Sequence, residues 1–159
     1  MKLIYISHLR FPSEKTHSTF AMKTCESFAT RGIDVELWVP RRWNPKFGKD
    51  DPFLYHNIKR NFVMRRLPVV DIWSFVGGNI GFFILTGTFN LSVFFYAVFR
   101  GFIRKSIFYI HTPADAIFCA MTGAYIFIEI HDLYRIYQHG NYFIRWVLSR
   151  MLGRIVPPR

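Results

Sequence analysis

Features of secreted, disulfide-bonded proteins are scarce in this chain. Cysteine occurs only at Cys25 and Cys119, far apart and without the repeated spacing of a disulfide framework or a zinc site. We therefore expect two buried thiols in a reducing compartment and no bound metal. The first apolar run is too short for the core of a secretory signal, which predicts a cytoplasmic protein.

Acidic residues are also few. Ten Asp and Glu face twenty-one Lys and Arg, which gives a net charge of +11 and a pI near 10.1. This charge favours anionic partners such as phosphates, acidic lipid or nucleic acid, without choosing among them. Half of the residues are apolar, which is enough to bury the core of one compact domain.

Two function classes lack their usual sequence signals. No glycine-rich fingerprint joins the first strand to the first helix, which disfavours a dinucleotide-binding oxidoreductase. The basic stretch 41–60 is interrupted by proline and glycine, so it predicts an exposed, solvated loop rather than a recognition helix. A nucleic-acid partner is therefore disfavoured as well.

What the chain does have is a regular alternation of strand and helix patterns. Short, apolar, β-branched runs predict five strands. They are Leu3–Ile6, Val35–Val39, Asn61–Leu67, Ile107–Ile110 and Ile126–Ile130. Helical spacing predicts a helix around Met22 that stops at Gly32, a second after Thr112 that runs to Gly123, and a third over Tyr142–Leu152.

This order predicts an α/β fold with a doubly wound, mainly parallel sheet and helices on both faces. Ligands of such sheets bind at the carboxyl ends of the strands. Functional residues are therefore expected in the loops after Ile6, Ile110 and Ile130.

The segment 72–99 carries no formal charge over 28 residues, which is long enough for a membrane span. Glycines and polar residues break up its first third into a turn-like stretch, so the uninterrupted apolar part is nearer Gly87–Phe99 and too short to cross. Arginines flank both sides, which removes the asymmetry that orients a span. We predict an apolar loop-helix insertion packed against the sheet. Its phenylalanines are either buried in the core or dip into a membrane surface; they are Phe82, Phe89, Phe94, Phe95 and Phe99.

Several segments match one enzyme family in order and spacing. They are Met1–Ile6, Arg10–Lys15, Met22–Gly32, Val35–Arg42, Ile107–Ile110 and Ile126–Asp132. Together they resemble the amino-terminal half of the retaining, GT-B-fold glycosyltransferases of family 4. The resemblance covers nearly the whole chain and implies one Rossmann-like domain, residues 1–159, truncated near its carboxyl-terminal end. In that family the first domain binds the acceptor and the second binds the nucleotide-sugar.

The resemblance also implies site residues. His131 falls where the family places a histidine beside the transferred sugar, which implies a catalytic role. An imidazole at a strand's carboxyl end can hydrogen-bond a sugar hydroxyl, and an adjacent carboxylate can fix its tautomer. A purely structural His-Asp pair in a turn is the alternative. The implied substrate-binding residues are Thr16, His17, Ser18, His111, Glu129 and Asp132.

Three departures from the family pattern shape the expected function. His17 and Ser18 stand where many members have glycines that approach phosphate, and His111 stands where relatives often have arginine. The family's paired donor-site glutamates have no counterpart among the four glutamates of this chain. We therefore expect no cofactor, no nucleotide-sugar binding and negligible transfer by this chain alone.

The expected partners are a sugar or lipid-linked acceptor and a donor-binding domain supplied in cis or in trans. A peripheral contact with acidic lipid at the inner face of the membrane is a further expectation. The alternative function is a non-catalytic membrane-surface or scaffold module, in which basic and aromatic residues do the binding.

Overall fold

A computed structural model describes residues 2–42, 44, 46–47, 50–72, 78–101, 106–111, 118–119 and 123–129. The strands of this part of the chain are β1 (Lys2–Ile6), β2 (Asp34–Pro40), β3 (Val63–Leu67), β4 (Ser106–Ile110) and β5 (Tyr125–Ile128). Its helices are α1 (Thr16–Thr30), α2 (Pro52–Tyr55) and α3 (Gly78–Phe99). Each predicted strand is found within two residues of its expected bounds, except that Ile130 lies outside the described residues.

The five strands form one parallel sheet in the order β3-β2-β1-β4-β5. Alternate side chains of β1 and β2 enter two separate cores, one on each face of the sheet. Helix α1 contributes Met22 and Cys25 to the first core, and α3 contributes Phe89 and Val93 to the second. The predicted doubly wound α/β fold with helices on both faces is therefore confirmed.

The end of α1 follows the predicted stop signal. The backbone N–H of Gly32 donates to the carbonyl of Ala29 at 3.0 Å, and Gly32 has a φ of +82°. That left-handed conformation suits glycine, so the chain can turn into β2 at once. At its other end the helix begins at Thr16.

The prediction of an exposed loop over 41–60 is wrong for its second half. Asp51 caps α2 by accepting a hydrogen bond from the backbone N–H of Phe53 at 3.0 Å. Phe53 and Ile58 are then buried in the core on the α1 face of the sheet. The apolar residues there are too irregularly spaced to predict a buried segment, so its burial is seen only in the tertiary structure.

Helix α3 is longer than expected. The prediction of a turn-like first third is wrong from Gly78 onward, because one helix of 22 residues runs from there to Phe99. A glycine inside a helix costs about 1 kcal/mol relative to alanine, and burial of Phe89, Val93 and Ala97 against the sheet offsets that cost. Along the chain, α3 lies between β3, at one edge of the sheet, and β4, which pairs with β1 on the side away from β2. The predicted helix over Tyr142–Leu152 and most of the one ending at Gly123 lie outside the described residues.

One carboxylate is buried on the α3 face of the sheet. Glu36 of β2 accepts hydrogen bonds from Lys2 Nζ at 2.8 Å, Trp38 Nε1 at 2.8 Å and Arg65 Nε at 2.7 Å. Its neighbours lie on three adjacent strands, so this group ties β1, β2 and β3 together. The Arg65 guanidinium also lies over the ring of Tyr96, which links the network to α3.

Candidate functional site

Two of the predicted site residues come together at the carboxyl edge of the sheet. His111 follows β4 and Glu129 follows β5, and these strands are parallel neighbours. The backbone N–H of Glu129 donates to the carbonyl of Ile110 at 2.9 Å, which extends the strand ladder up to the site. His111 Nδ1 lies 3.5 Å from Glu129 Oε2, and each side chain is 24% exposed. The pair is therefore partly shielded but reachable from solvent.

Two tyrosines support this pair. The Tyr5 hydroxyl is hydrogen-bonded to His111 Nε2, and the Tyr109 hydroxyl donates to Glu129 Oε2. Strand register places Tyr5, Tyr109 and Phe127 side by side, and their rings stack with centroids 5.0 and 5.1 Å apart. Burial, together with the Glu129 carboxylate, raises the pKa of Tyr109 far above its usual value, so its hydroxyl remains a donor.

The tyrosines restrict what the pair can do. With one ring nitrogen of His111 bound to Tyr5 and the other facing Glu129, the imidazole is held in one orientation. The Glu129 carboxylate, whose orientation His111 and Tyr109 restrict, can still accept hydrogen bonds from ligand hydroxyls. Among the described residues no three His, Cys, Asp or Glu side chains converge as they would at a metal site.

The start of α1 lies beside the pair. Thr16 and His17 are exposed in its first turn. Phe20 lies one turn later, and its ring packs edge-on against His111 with the two ring centroids 6.0 Å apart. Ser18 is fully buried, and its hydroxyl donates to the carbonyls of Ser13 at 2.8 Å and Lys15 at 2.6 Å. Ser18 thus holds the preceding loop in place and has no surface to offer a ligand.

The predicted catalytic residue His131 and its neighbour Asp132 lie outside the described residues.

The comparisons with known proteins add no assignment. Neither a protein-family model, nor a curated protein, nor a solved structure matches this chain. The family resemblance therefore remains a hypothesis from the sequence, and the site must be judged by its own geometry.

A second feature, which sequence reasoning missed, lies across the loop after β1. There a cavity of about 250 Å³ opens between that loop and α3, and we call it the basic pocket. The side chains that line it include Arg10, Lys15, Arg42, Phe82, Leu85 and Thr86. They come from three separate segments of the sequence. The one signal available was the presence of arginines shortly after β1 and β2, where ligands of parallel sheets bind.

The outer face of α3 is apolar along its whole length. Among the described residues this is the one helix long and apolar enough to cross a membrane, with a mean hydropathy of 1.8 in its most apolar window and a third of that window buried. The exposed apolar side chains, which we call the outer stripe, are Ile80, Phe83, Leu91, Phe95, Val98 and Phe99. Phe83 is 70% exposed and Phe99 is 83% exposed. A contiguous stripe of this kind is typical of an interaction surface.

Proposed function

We propose that this chain is the acceptor-binding half of a retaining glycosyltransferase. In this proposal a second domain, in cis or in trans, binds the nucleotide-sugar, and the sugar passes to a glycan or a lipid-linked acceptor. The supporting observation is the His111–Glu129 pair, held at adjoining strand ends next to the start of α1. A carboxylate of fixed orientation that is partly shielded from solvent suits the hydroxyl groups of a sugar, which can donate to it.

The proposed roles follow the geometry. Glu129 would accept hydrogen bonds from acceptor hydroxyls and His111 would orient its carboxylate, with Thr16 and His17 at the neighbouring helix start. His131 would act as the catalytic residue beside the transferred sugar, with Asp132 as its neighbour in the chain. Tyr5 and Tyr109 would position His111 and Glu129 rather than touch the substrate, because both rings are buried.

Acceptor binding is expected to depend on Glu129. We expect this chain to bind a subset of saccharides on a glycan array, and the Glu129→Gln variant to bind them about tenfold more weakly, the loss typical of one hydrogen bond to a charged group. The matched control is Glu26→Gln, which alters a carboxylate that accepts from the backbone N–H of Lys59 at 2.7 Å on the surface. Equal binding by wild type and Glu129→Gln would remove this site from the proposal.

The division of labour between the two domains is tested separately. Calorimetry of this chain with nucleotide-sugars is expected to give no binding heat beyond that of inorganic diphosphate. Tight donor binding by this chain alone would contradict its assignment as the acceptor half.

A second candidate function rests on the outer stripe of α3. We propose, as the alternative, a non-catalytic module that lies on the acidic inner face of a membrane. The stripe supplies apolar area, and Arg100 at the end of the helix together with the net charge of +11 supplies attraction to anionic lipid. The two candidates are compatible if the acceptor is itself lipid-linked, since the enzyme would then work at the membrane.

Vesicle flotation tests the stripe. Wild-type protein is expected to float with vesicles containing phosphatidylserine and not with pure phosphatidylcholine. The triple variant Phe83→Ser, Leu91→Ser, Phe95→Ser should partition about tenfold less, because three exposed apolar side chains are lost.

The control for this experiment is the double variant Leu54→Ser, Val70→Ser, which removes exposed apolar side chains outside α3. It is expected to float like the wild type. If the wild type stays unbound with both lipid mixtures, or the control loses as much binding as the triple variant, the membrane role of the stripe is refuted.

A further inference from the structure

We propose that the basic pocket is a binding site for a phosphate group, either a phosphomonoester or a diphosphate. The pocket lies on the α3 face of the sheet, whereas the His111–Glu129 pair lies beside α1. This proposal therefore does not rest on the glycosyltransferase assignment.

The size of the pocket suits a small anionic group. Its volume of about 250 Å³ is below the roughly 300–1,000 Å³ of sites for drug-sized ligands. A phosphate or diphosphate fits within this space, whereas a stretch of nucleic acid does not. The position at the carboxyl ends of β1 and β2 is also where parallel sheets bind their ligands.

Three cations surround the pocket, and one of them is held in place. Arg42 donates from Nε to Asp71 Oδ2 at 2.8 Å and from Nη2 to Asp71 Oδ1 at 3.5 Å. This pairing fixes the plane of the guanidinium while Nη1 stays outside the pair. Arg10 and Lys15 approach from the loop after β1. Together they place more positive charge around the cavity than Asp71 offsets.

The positive charge beside the pocket also affects the neighbouring carboxylate of Glu14. The pKa of Glu14, between Ser13 and Lys15, is lowered by a hydrogen bond to its own backbone and then by the charges of Lys46, Arg10 and Lys15. Part of this shift comes from the positive field of these three side chains, two of which line the pocket. The same field would attract a phosphate dianion.

The observation that points most directly to a ligand is the hydroxyl of Thr86. This side chain is only 8% exposed, lines the pocket, and its Oγ1 has no hydrogen-bond partner among the described residues. Two residues on, Thr88 Oγ1 follows the usual pattern by donating to the carbonyl of Ile84 at 2.8 Å. Buried polar groups are rarely left unpaired, and a phosphate oxygen would accept from this hydroxyl.

The phosphate could belong to a free small molecule or to a lipid headgroup. Phe82 lines the pocket and is itself an exposed apolar residue of α3, so a ligand's apolar portion could continue onto that helix. The recognition chemistry is the same for both sources. The experiment therefore has one arm for each.

The first arm measures binding of inorganic diphosphate to the chain by calorimetry at physiological salt. We expect Arg10→Gln to weaken binding about tenfold, the loss of one charge-assisted contact. The isosteric Thr86→Val should weaken it several-fold while keeping or raising the melting temperature without ligand, because it removes an unpaired buried hydroxyl. Lys23→Gln, which removes an exposed cation from α1, is the charge-matched control and should bind like the wild type.

The second arm measures flotation with phosphatidic acid vesicles. Loss of flotation in Thr86→Val, with diphosphate binding absent in the wild type, would assign the site to a lipid headgroup. Diphosphate binding that is sensitive to Thr86→Val would assign it to a soluble phosphate. The proposal is overturned if Thr86→Val changes neither measurement, or if Lys23→Gln weakens binding as much as Arg10→Gln, since only general positive charge would then be at work.

Discussion

Replacing Glu36 with alanine is expected to lower the free energy of unfolding by about 3–5 kcal/mol. Glu36 is 1% exposed and is the shared acceptor for Lys2, Trp38 and Arg65. Its removal leaves the buried Trp38 N–H without an acceptor and takes the counter-charge from two cations. Urea unfolding at neutral pH measures the loss.

The chain offers a matched control for this variant. Asp34 lies 3.4 Å from the same Lys2 Nζ, but its side chain is 63% exposed. Asp34→Ala should therefore cost no more than about 0.5 kcal/mol, as for most exposed ion pairs. Equal costs for the two substitutions would show that Glu36 is not a buried, shared acceptor.

The contribution of Glu36 to the free energy of unfolding should also depend on pH. Burial would raise the pKa of Glu36, but hydrogen bonds from Arg65, Lys2 and Trp38 outweigh it and hold the pKa at about 2. The pKa of the unfolded chain is higher, near 4.5. The stabilisation is therefore fully present above about pH 5 and is lost as the pH falls from there toward 2. Glu36→Gln should flatten the acid limb of the stability profile relative to wild type.

Replacing Phe89 with alanine is expected to lower the free energy of unfolding by about 3–5 kcal/mol as well. Phe89 is fully buried between α3 and the sheet, in the same core as Trp38 and Phe108. Phe95 lies on a different side of α3 and is half exposed. Phe95→Ala should therefore change stability by less than about 0.5 kcal/mol.

This pair of variants separates two arrangements of α3. A helix docked on the sheet makes Phe89 sensitive and Phe95 tolerant, whereas a helix that leaves the sheet to cross a bilayer would make both equally tolerant in urea unfolding. The two faces of α3 differ in what they contact. The inner face packs on the sheet, and the exposed outer stripe is the surface on which the proposed membrane role rests.

Only part of the carboxyl-edge site was accessible to sequence reasoning. His111 directly follows the fourth apolar run, whereas Glu129 lies inside the predicted fifth strand and was implied as a site residue only by the family resemblance. Tyr5 and Tyr109 lie inside the apolar runs of β1 and β4 and have the pattern of core residues. Their polar contacts depend on the register that pairs β1 with β4, which no local pattern specifies.

The short apolar runs were sufficient to predict the fold class, because a segment buried on both faces of a parallel sheet is apolar at nearly every position. The stop of α1 at Gly32 was likewise predictable, since a left-handed turn favours glycine whatever surrounds it. These features depend on a few consecutive residues, and their chemistry is the same in any context.

Only the tertiary structure could decide the length of α3, the burial of Phe53 and the basic pocket. Glycines weaken a helix locally, but packing of Phe89 and Val93 on the sheet offsets that loss. The pocket joins Arg10, Arg42 and Thr86, which lie tens of residues apart in the chain. Contacts of this kind arise from strand order and register, so their energies are set by neighbours that the local sequence does not contain.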